Sequence, residues 1–296
     1  MSERDDGRED TIYERLPQGE FIRVLKLQPG KAEDDIECSL EIIDIGTSED
    51  SYEAISYVWG NANDTIDVQC NGLQVPITAS LANALRHFRH PSGPRLLWAD
   101  ALCINQKDDQ EKGHQVKRMG EVYANAKRVL VWLGCDVNNV AADTFALICE
   151  ANAYFGDSLV KAGEKAYRME LFEKPYPISM DPDTWSGVVE LFKFPWFKRV
   201  WTVQEVAVAA ECRMFWGSAS VDIADVLEIL ENQTCTPPFK ELLGAFDIVM
   251  VASWHFTSTI TPIDQYRGNN LELDWPIQPL GTKNRLYVEF FTPLEV

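Results

Sequence analysis

The chain has 296 residues, 46% of them hydrophobic and 25% charged, with a formal net charge of −19. That is enough for one large domain or a core domain with an appendage, and the composition is ordinary for a soluble globular chain. The acidic balance argues against nucleic-acid and anionic-membrane partners, which need cationic patches; it leaves room for a small anionic ligand at a local basic pair such as Lys198-Arg199.

Residues 1 to about 18 are charged and open without an apolar leader core, so they are expected to be disordered or loosely attached and not a secretory signal. Phe21–Gly30 and Ile36–Ile45 alternate apolar and polar residues and predict an antiparallel pair of strands. Tyr52–Trp59 is a third strand, closed by Gly60-Asn61. The stretch around Asn71-Gly72 reads as a hairpin, because that dipeptide sits between two alternating runs. Thr78 caps a helix with Leu81, Ala84, Leu85 and Phe88 on one face. Arg95–Ile104 reads as a strand buried on both faces. A polar loop, Gln106–Lys112, follows. Val116, Met119, Val122, Tyr123 and Ala126 then make a helical stripe, and Arg128–Leu133 is a short buried strand.

Strands alternating with helices over 52–134 predict a parallel sheet. Further on, Asp143–Phe155, Trp185–Phe194 and Arg199–Ala210 read as helices, Cys212–Trp216 as a strand, and Ile223–Leu230 and Phe239–Val251 as helices. The connection between Leu133 and Trp185 is longer than usual for such sheets and reads as a lid or an association surface. No apolar run reaches the length of about 18 residues that a membrane span needs.

Seven cysteines, an odd number without a CxxC pair, lie mostly in apolar runs. They predict free thiols in a reducing, cytoplasmic setting, with neither a disulfide framework nor a zinc site. His87 and His90 read as solvated residues at a helix end, and no metal site is expected.

Three islands carry chemistry. In Leu96–Gln106, Asp100 stands within the predicted strand and either touches a ligand or accepts backbone N–H bonds; Asn105 and Gln106 either contact an amide or ribose or close the turn. In Tyr52–Gly60, Ser56 and Tyr57 approach a strand end before Trp59-Gly60. No histidine lies in these islands, which disfavours Ser/His catalysis. Cys103, between two aliphatic residues, reads as core. In Arg199–Glu205, Glu205 falls at the edge of the buried helix face one turn after Trp201, where desolvation raises a carboxyl pKa and suits it to acid–base work or to stabilising a cation. A solvated or ion-paired helical glutamate is the plainer alternative. Neither a Walker sequence nor GxGxxG is present.

In order, these islands resemble the blocks of the heterokaryon-incompatibility (HET) domain of filamentous fungi. The matching residues are Ala54-Ile55-Ser56-Tyr57-Val58-Trp59-Gly60; Leu97-Trp98-Ala99-Asp100-Ala101-Leu102-Cys103-Ile104-Asn105-Gln106, with Glu111, Gln115-Val116, Met119, Val122-Tyr123 and Ala126 following; and Arg199-Val200-Trp201-Thr202-Val203-Gln204-Glu205. The resemblance implies self/non-self recognition and programmed cell death after fusion of unlike hyphae. It also implies kinship to TIR domains, hence an α/β fold: a TIR/flavodoxin-like, mostly parallel sheet flanked by helices, with an N-terminal β segment and extra helical insertions. Residues 19–217 would form the domain, with 52–217 its motif core and 218–296 a helical or irregular extension packed on it.

Trp201 to Glu205 resembles the W-C-x-x-E-like motif of TIR enzymes. On that likeness Glu205 is the catalytic carboxylate for NAD+ cleavage, and Ser56, Tyr57, Trp59, Gly60, Asp100, Asn105, Gln106 and Trp201 line the nucleotide site. NAD+ is substrate and no cofactor is implied; self-association and an unidentified activating protein are the implied partners. The alternative is a non-enzymatic death-signalling module that works by homotypic assembly, its motifs serving as fold determinants. Lys283-Asn284-Arg285-Leu286-Tyr287 departs from the D-P-R-D-K-x-Y-A-like block that follows the domain in the family.

Overall fold

The structure, a computed structural model, describes residues 11–48, 51–162, 179, 181–199 and 201–235. Strands β1 (Phe21–Leu27) and β2 (Glu37–Asp44) pair antiparallel from Phe21↔Asp44 to Leu27↔Cys38, as the alternation predicts. β3 (Glu53–Tyr57) is buried along its whole length. β4 (Thr65–Cys70) and β5 (Leu73–Thr78) form the expected hairpin. Its turn residues Asn71 and Gly72 have φ of 50° and 80°, the left-handed pair that matches strand twist in a two-residue turn.

Helix α1 (Ala79–Phe88) starts where the Thr78 hydroxyl accepts the Leu81 N–H, and it buries Leu81, Ala84, Leu85 and Phe88. The remaining elements are β6 (Arg95–Trp98), α2 (Asp100–Cys103), α3 (Asp109–Lys117), α4 (Met119–Asn125), β7 (Val129–Trp132), α5 (Ala141–Ala162), α6 (Ser186–Phe192), α7 (Trp201–Ala207), β8 (Cys212–Trp216), β9 (Ala219–Asp222) and α8 (Ile223–Cys235).

Among the described residues the strands form one sheet in the order β5-β4-β2-β1-β6-β3-β7-β8-β9. The middle four, β6-β3-β7-β8, are mutually parallel. Numbered along the chain they run 2-1-3-4, the order of flavodoxin-type sheets, in which ligands bind beyond the carboxyl ends of the strands. β1 lies antiparallel against β6 and joins this core to the N-terminal strands. β9 closes the other side antiparallel to β8, so the chain after 217 begins inside the same sheet. An Asn152 Nδ2 bond of 2.7 Å to the Asp225 carbonyl ties α5 to α8.

Several expectations are corrected. Arg95–Ile104 is not one strand: β6 stops at Trp98 and α2 follows at once, because the Ala99 carbonyl accepts both Leu102 and Cys103 N–H groups and the Asp100 side chain accepts the Ala101 N–H. Part of the polar loop is helix, since Asp108 caps α3 by accepting the Gln110 and Glu111 N–H groups. The stripe from Val116 to Ala126 breaks at Arg118.

Residues 11–18 pack onto the domain. Ile12 is buried and its carbonyl accepts a 2.9 Å bond from Asn71 Nδ2; residues 1–10 lie outside the described residues. His87 is not solvated. It stacks on Trp132 with ring centroids 4.8 Å apart, and burial, helped by Arg95, lowers its pKa. The helix expected at 239–251 and the stretch beyond it lie outside the described residues.

Gly217 makes the β8–β9 turn at φ +56°, and a Cβ there would stand 2.7 Å from Asp136 Cβ. Asp136 accepts the Val140 and Ala141 N–H groups at the start of α5. Gly217→Ala is therefore expected to cost about 1–3 kcal/mol, read as a lower urea midpoint with unchanged slope. The described residues contain no helix long and apolar enough to cross a membrane.

Candidate active site

The site forms where β3 and β6 end. Ser56, inside β3, is fully buried and sits between Glu205 of the third island and Trp196 of the turn that precedes it. A short 3-10 turn, Pro195–Lys198, carries Trp196, whose indole Nε1 donates to Ser56 Oγ at 2.8 Å. Ser56 Oγ donates in turn to the Glu205 carboxyl, from α7. Indole N–H is a donor only, so the Trp196→Ser56 direction is fixed, and the serine hydroxyl donates to the ionised Glu205 carboxylate. Glu205 is 3% exposed. Burial pushes its pKa up to about 7; the Ser56 bond and the Arg199 charge pull the other way, and the Asp100 charge adds to the rise.

Asp100, the first residue of α2, belongs to the outer part of the site. Both its oxygens accept from Trp59 Nε1, at 3.0 and 2.9 Å, and Oδ1 also accepts the Ala101 N–H at 2.8 Å. Burial raises its pKa, while those bonds and Arg199 hold the rise back. The Tyr57 hydroxyl is buried beside Asp100 without hydrogen-bond geometry to it. Burial first, and Asp100 next, hold its pKa well above the usual phenol value. Arg199 Nη1 donates to the Tyr57 carbonyl.

These groups border a cleft of about 450 Å³. Trp59, Gly60, Asp100, Arg199 and Trp201 line it, with Val58, Val116 and Met119 as its apolar part. Both indoles are open to solvent, Trp59 37% and Trp201 51% exposed. The cleft thus offers two aromatic surfaces, one cation and one carboxyl of raised pKa. Ser56 and Glu205 are adjacent to it but do not line it.

Of the residues expected at a nucleotide site, Trp59, Gly60, Asp100 and Trp201 meet in this cleft. Tyr57 borders it, and Ser56 and Glu205 form the buried pair within the field of Asp100. Asn105 and Gln106 take the turn-closing role. Asn105 Oδ1 accepts the Lys107 N–H at 3.1 Å, and Gln106 Nε2 donates to the Asp100 carbonyl at 2.9 Å, bracing the residue it was expected to assist. Sequence reasoning did not single out Trp196, and it offered Lys198-Arg199 as a place for a small anion without joining Arg199 to the nucleotide site. The signals were there, in the Phe194-Pro195-Trp196-Phe197 run that fixes the approach to α7 and in the Lys198-Arg199 pair.

Other motif residues build the fold. Glu111 grips the buried Arg23 with both oxygens, at 2.5 and 3.0 Å, and Gln115 Nε2 reaches the Phe21 carbonyl at 3.1 Å. Among the described residues, no group of three or more His, Cys, Asp or Glu side chains is placed to hold a metal ion, and the described cysteines are free.

The chain is thus an open α/β sheet protein with a mostly apolar cleft at the ends of its central parallel strands, in which Asp100 and Arg199 are the charged members. The chain belongs to the heterokaryon incompatibility (HET) family, whose model, described as heterokaryon incompatibility protein (HET), matches residues 52–205, from the start of the first island to Glu205 itself. It is similar to heterokaryon incompatibility protein 6, OR allele, of Neurospora crassa, 30% identical over 258 residues, which cover 76% of this chain and 37% of that protein. The chain therefore spans little more than a third of that relative's length. No solved structure matches it.

Proposed function

We propose that this HET-family chain acts in self/non-self recognition and cell death by hydrolysing NAD+ at the nicotinamide–ribose bond, with activity dependent on self-association. The observation that carries this reading is Glu205. It is a desolvated carboxyl with a pKa near 7, held by Ser56 next to a cleft that also presents Asp100, Arg199 and two open indoles. In the reaction the C1′–N bond breaks and nicotinamide leaves with the electron pair. The ribose is left as an oxocarbenium-like cation, which a nearby carboxylate stabilises. Water adds to C1′ and loses a proton, giving ADP-ribose. Glu205 reaches the reacting carbon after a side-chain rotation that breaks its bond to Ser56.

A second reading is favoured by the burial of Glu205 and its absence from the cleft lining. On that reading the Trp196–Ser56–Glu205 chain locks α7 to the sheet of a non-enzymatic assembly module.

Nicotinamide release from NAD+ by the purified chain, at concentrations where it self-associates, separates the two. Release by wild type, reduced by a factor of about 100 or more in Glu205→Gln, is expected if the carboxylate supplies the kind of electrostatic stabilisation typical of such groups. No release from either assembled protein supports the module.

A further inference from the structure

We propose that Arg199 is a phosphate anchor that makes the cleft select nucleotides bearing a 5′-phosphate or diphosphate over uncharged nucleosides. Arg199 lines the cleft and is only partly buried. One bond, from Nη1 to the Tyr57 carbonyl, fixes its position, and among the described residues no carboxylate lies within 4.0 Å to neutralise it. In a chain of net charge −19, a guanidinium left unpaired in a concave site is conspicuous. Most other buried or half-buried arginines are used differently: Arg23 grips Glu111, Arg95 and Arg128 share Glu53, Arg118 holds Glu121, and Arg89 bonds the backbone carbonyls of 31–35. Arg86, on α1, also has no carboxylate within 4.0 Å among the described residues but does not line the cleft.

The rest of the lining agrees with a nucleotide. The indoles of Trp59 and Trp201 offer faces for a base. The Trp59 N–H is already committed to Asp100, so it is not available to a phosphate, and Asp100 repels one. Among the described residues, Arg199 is then the one cation in the lining, and it offers its donors in the planar fork that suits phosphate.

This inference rests on the nucleotide reading of the site but not on turnover. Titration calorimetry with ADP-ribose and with adenosine, on wild type, Arg199→Gln and Arg199→Lys, tests it. Wild type is expected to bind ADP-ribose about 10- to 100-fold more tightly than adenosine, the range that one or two charged hydrogen bonds supply, and to lose that preference as salt rises. Arg199→Gln should abolish the preference while leaving adenosine binding unchanged, and Arg199→Lys should keep part of it.

Equal affinities for the two probes in wild type, or no binding of ADP-ribose at millimolar concentration, would overturn the anchor without recourse to any variant. So would unchanged ADP-ribose affinity in a folded Arg199→Gln. Arg199-dependent binding of ADP-ribose without nicotinamide release would keep the anchor and remove the hydrolase. Normal release with an unaltered KM in Arg199→Gln would do the reverse.

Discussion

Glu205→Gln is expected to stabilise the protein above neutral pH and to leave its stability nearly unchanged near pH 5. The folded carboxyl has its pKa raised from 4.5 to about 7, chiefly by burial. Below pH 4.5 the group is protonated in both the folded and unfolded chain and contributes no pH dependence. Between 4.5 and 7 the unfolded chain ionises first, so the folded state holds the extra proton and stability falls as pH rises. Above 7 the loss is complete, on the order of 3 kcal/mol for a displacement of this size. The amide keeps an oxygen to accept from Ser56 and has no charge to bury. Melting temperatures of wild type and variant, compared from pH 5 to 8, should therefore diverge progressively in favour of the variant. Parallel curves across that range would mean that the carboxyl is not desolvated in the folded protein.

The other large effect concerns Arg23, in β1. It is 1% exposed and binds both oxygens of Glu111, the carbonyls of Glu14 and Cys103, and the ring face of Tyr13 at 5.1 Å. Glu111 also accepts the Asn105 N–H at 2.9 Å. This one cation therefore holds the N-terminal segment, α3 and the loop after α2 against the sheet. Breaking a buried pair by removing one member costs about 3–5 kcal/mol, because the remaining charge stays desolvated. Arg23→Met should lower stability by that much in urea titration and speed hydrogen exchange at Asn105, close to Asp100. Adding Glu111→Gln should recover part of the loss, since the two substitutions share one interaction and are not additive. A double variant as unstable as the sum of the singles would show that the pair is not coupled.

The fold was legible where a local pattern has one physical solution. Approximate alternation at 21–27 and 37–44, Asn-Gly between two alternating runs, and a capping Thr before a helical stripe all became the elements they predict. Arg95–Ile104 misled because a continuous apolar run has no period to separate strand from buried helix. The deciding bond, Asp100 to the Ala101 N–H, is invisible in hydrophobicity.

The candidate site was legible in membership more than in arrangement. Ser56 and Glu205 are 149 residues apart, and Trp59 and Asp100 are 41 apart; the parallel pairing of β3 with β6 brings the second pair together, and the parallel run β3-β7-β8 brings α7, and with it Glu205, to Ser56. Asn105 and Gln106 allow either ligand contact or turn closure in the sequence, and Asn105 Oδ1 and Gln106 Nε2 bond backbone atoms two and six residues away. The Lys198-Arg199 pair stood out against the acidic total as a place for an anion, but no pattern in the sequence tied Arg199 to one cleft with Trp59, Asp100 and Trp201.

The pH dependence of nicotinamide release by the assembled protein tests the central claim most directly. If Glu205 stabilises the ribosyl cation, only its ionised form works, and the rate with saturating NAD+ should climb through about pH 7 and level off above it, with no such climb in Glu205→Gln. A rate that is already at its plateau by pH 5, or one that Glu205→Gln leaves intact, would show that this carboxyl has no part in the chemistry.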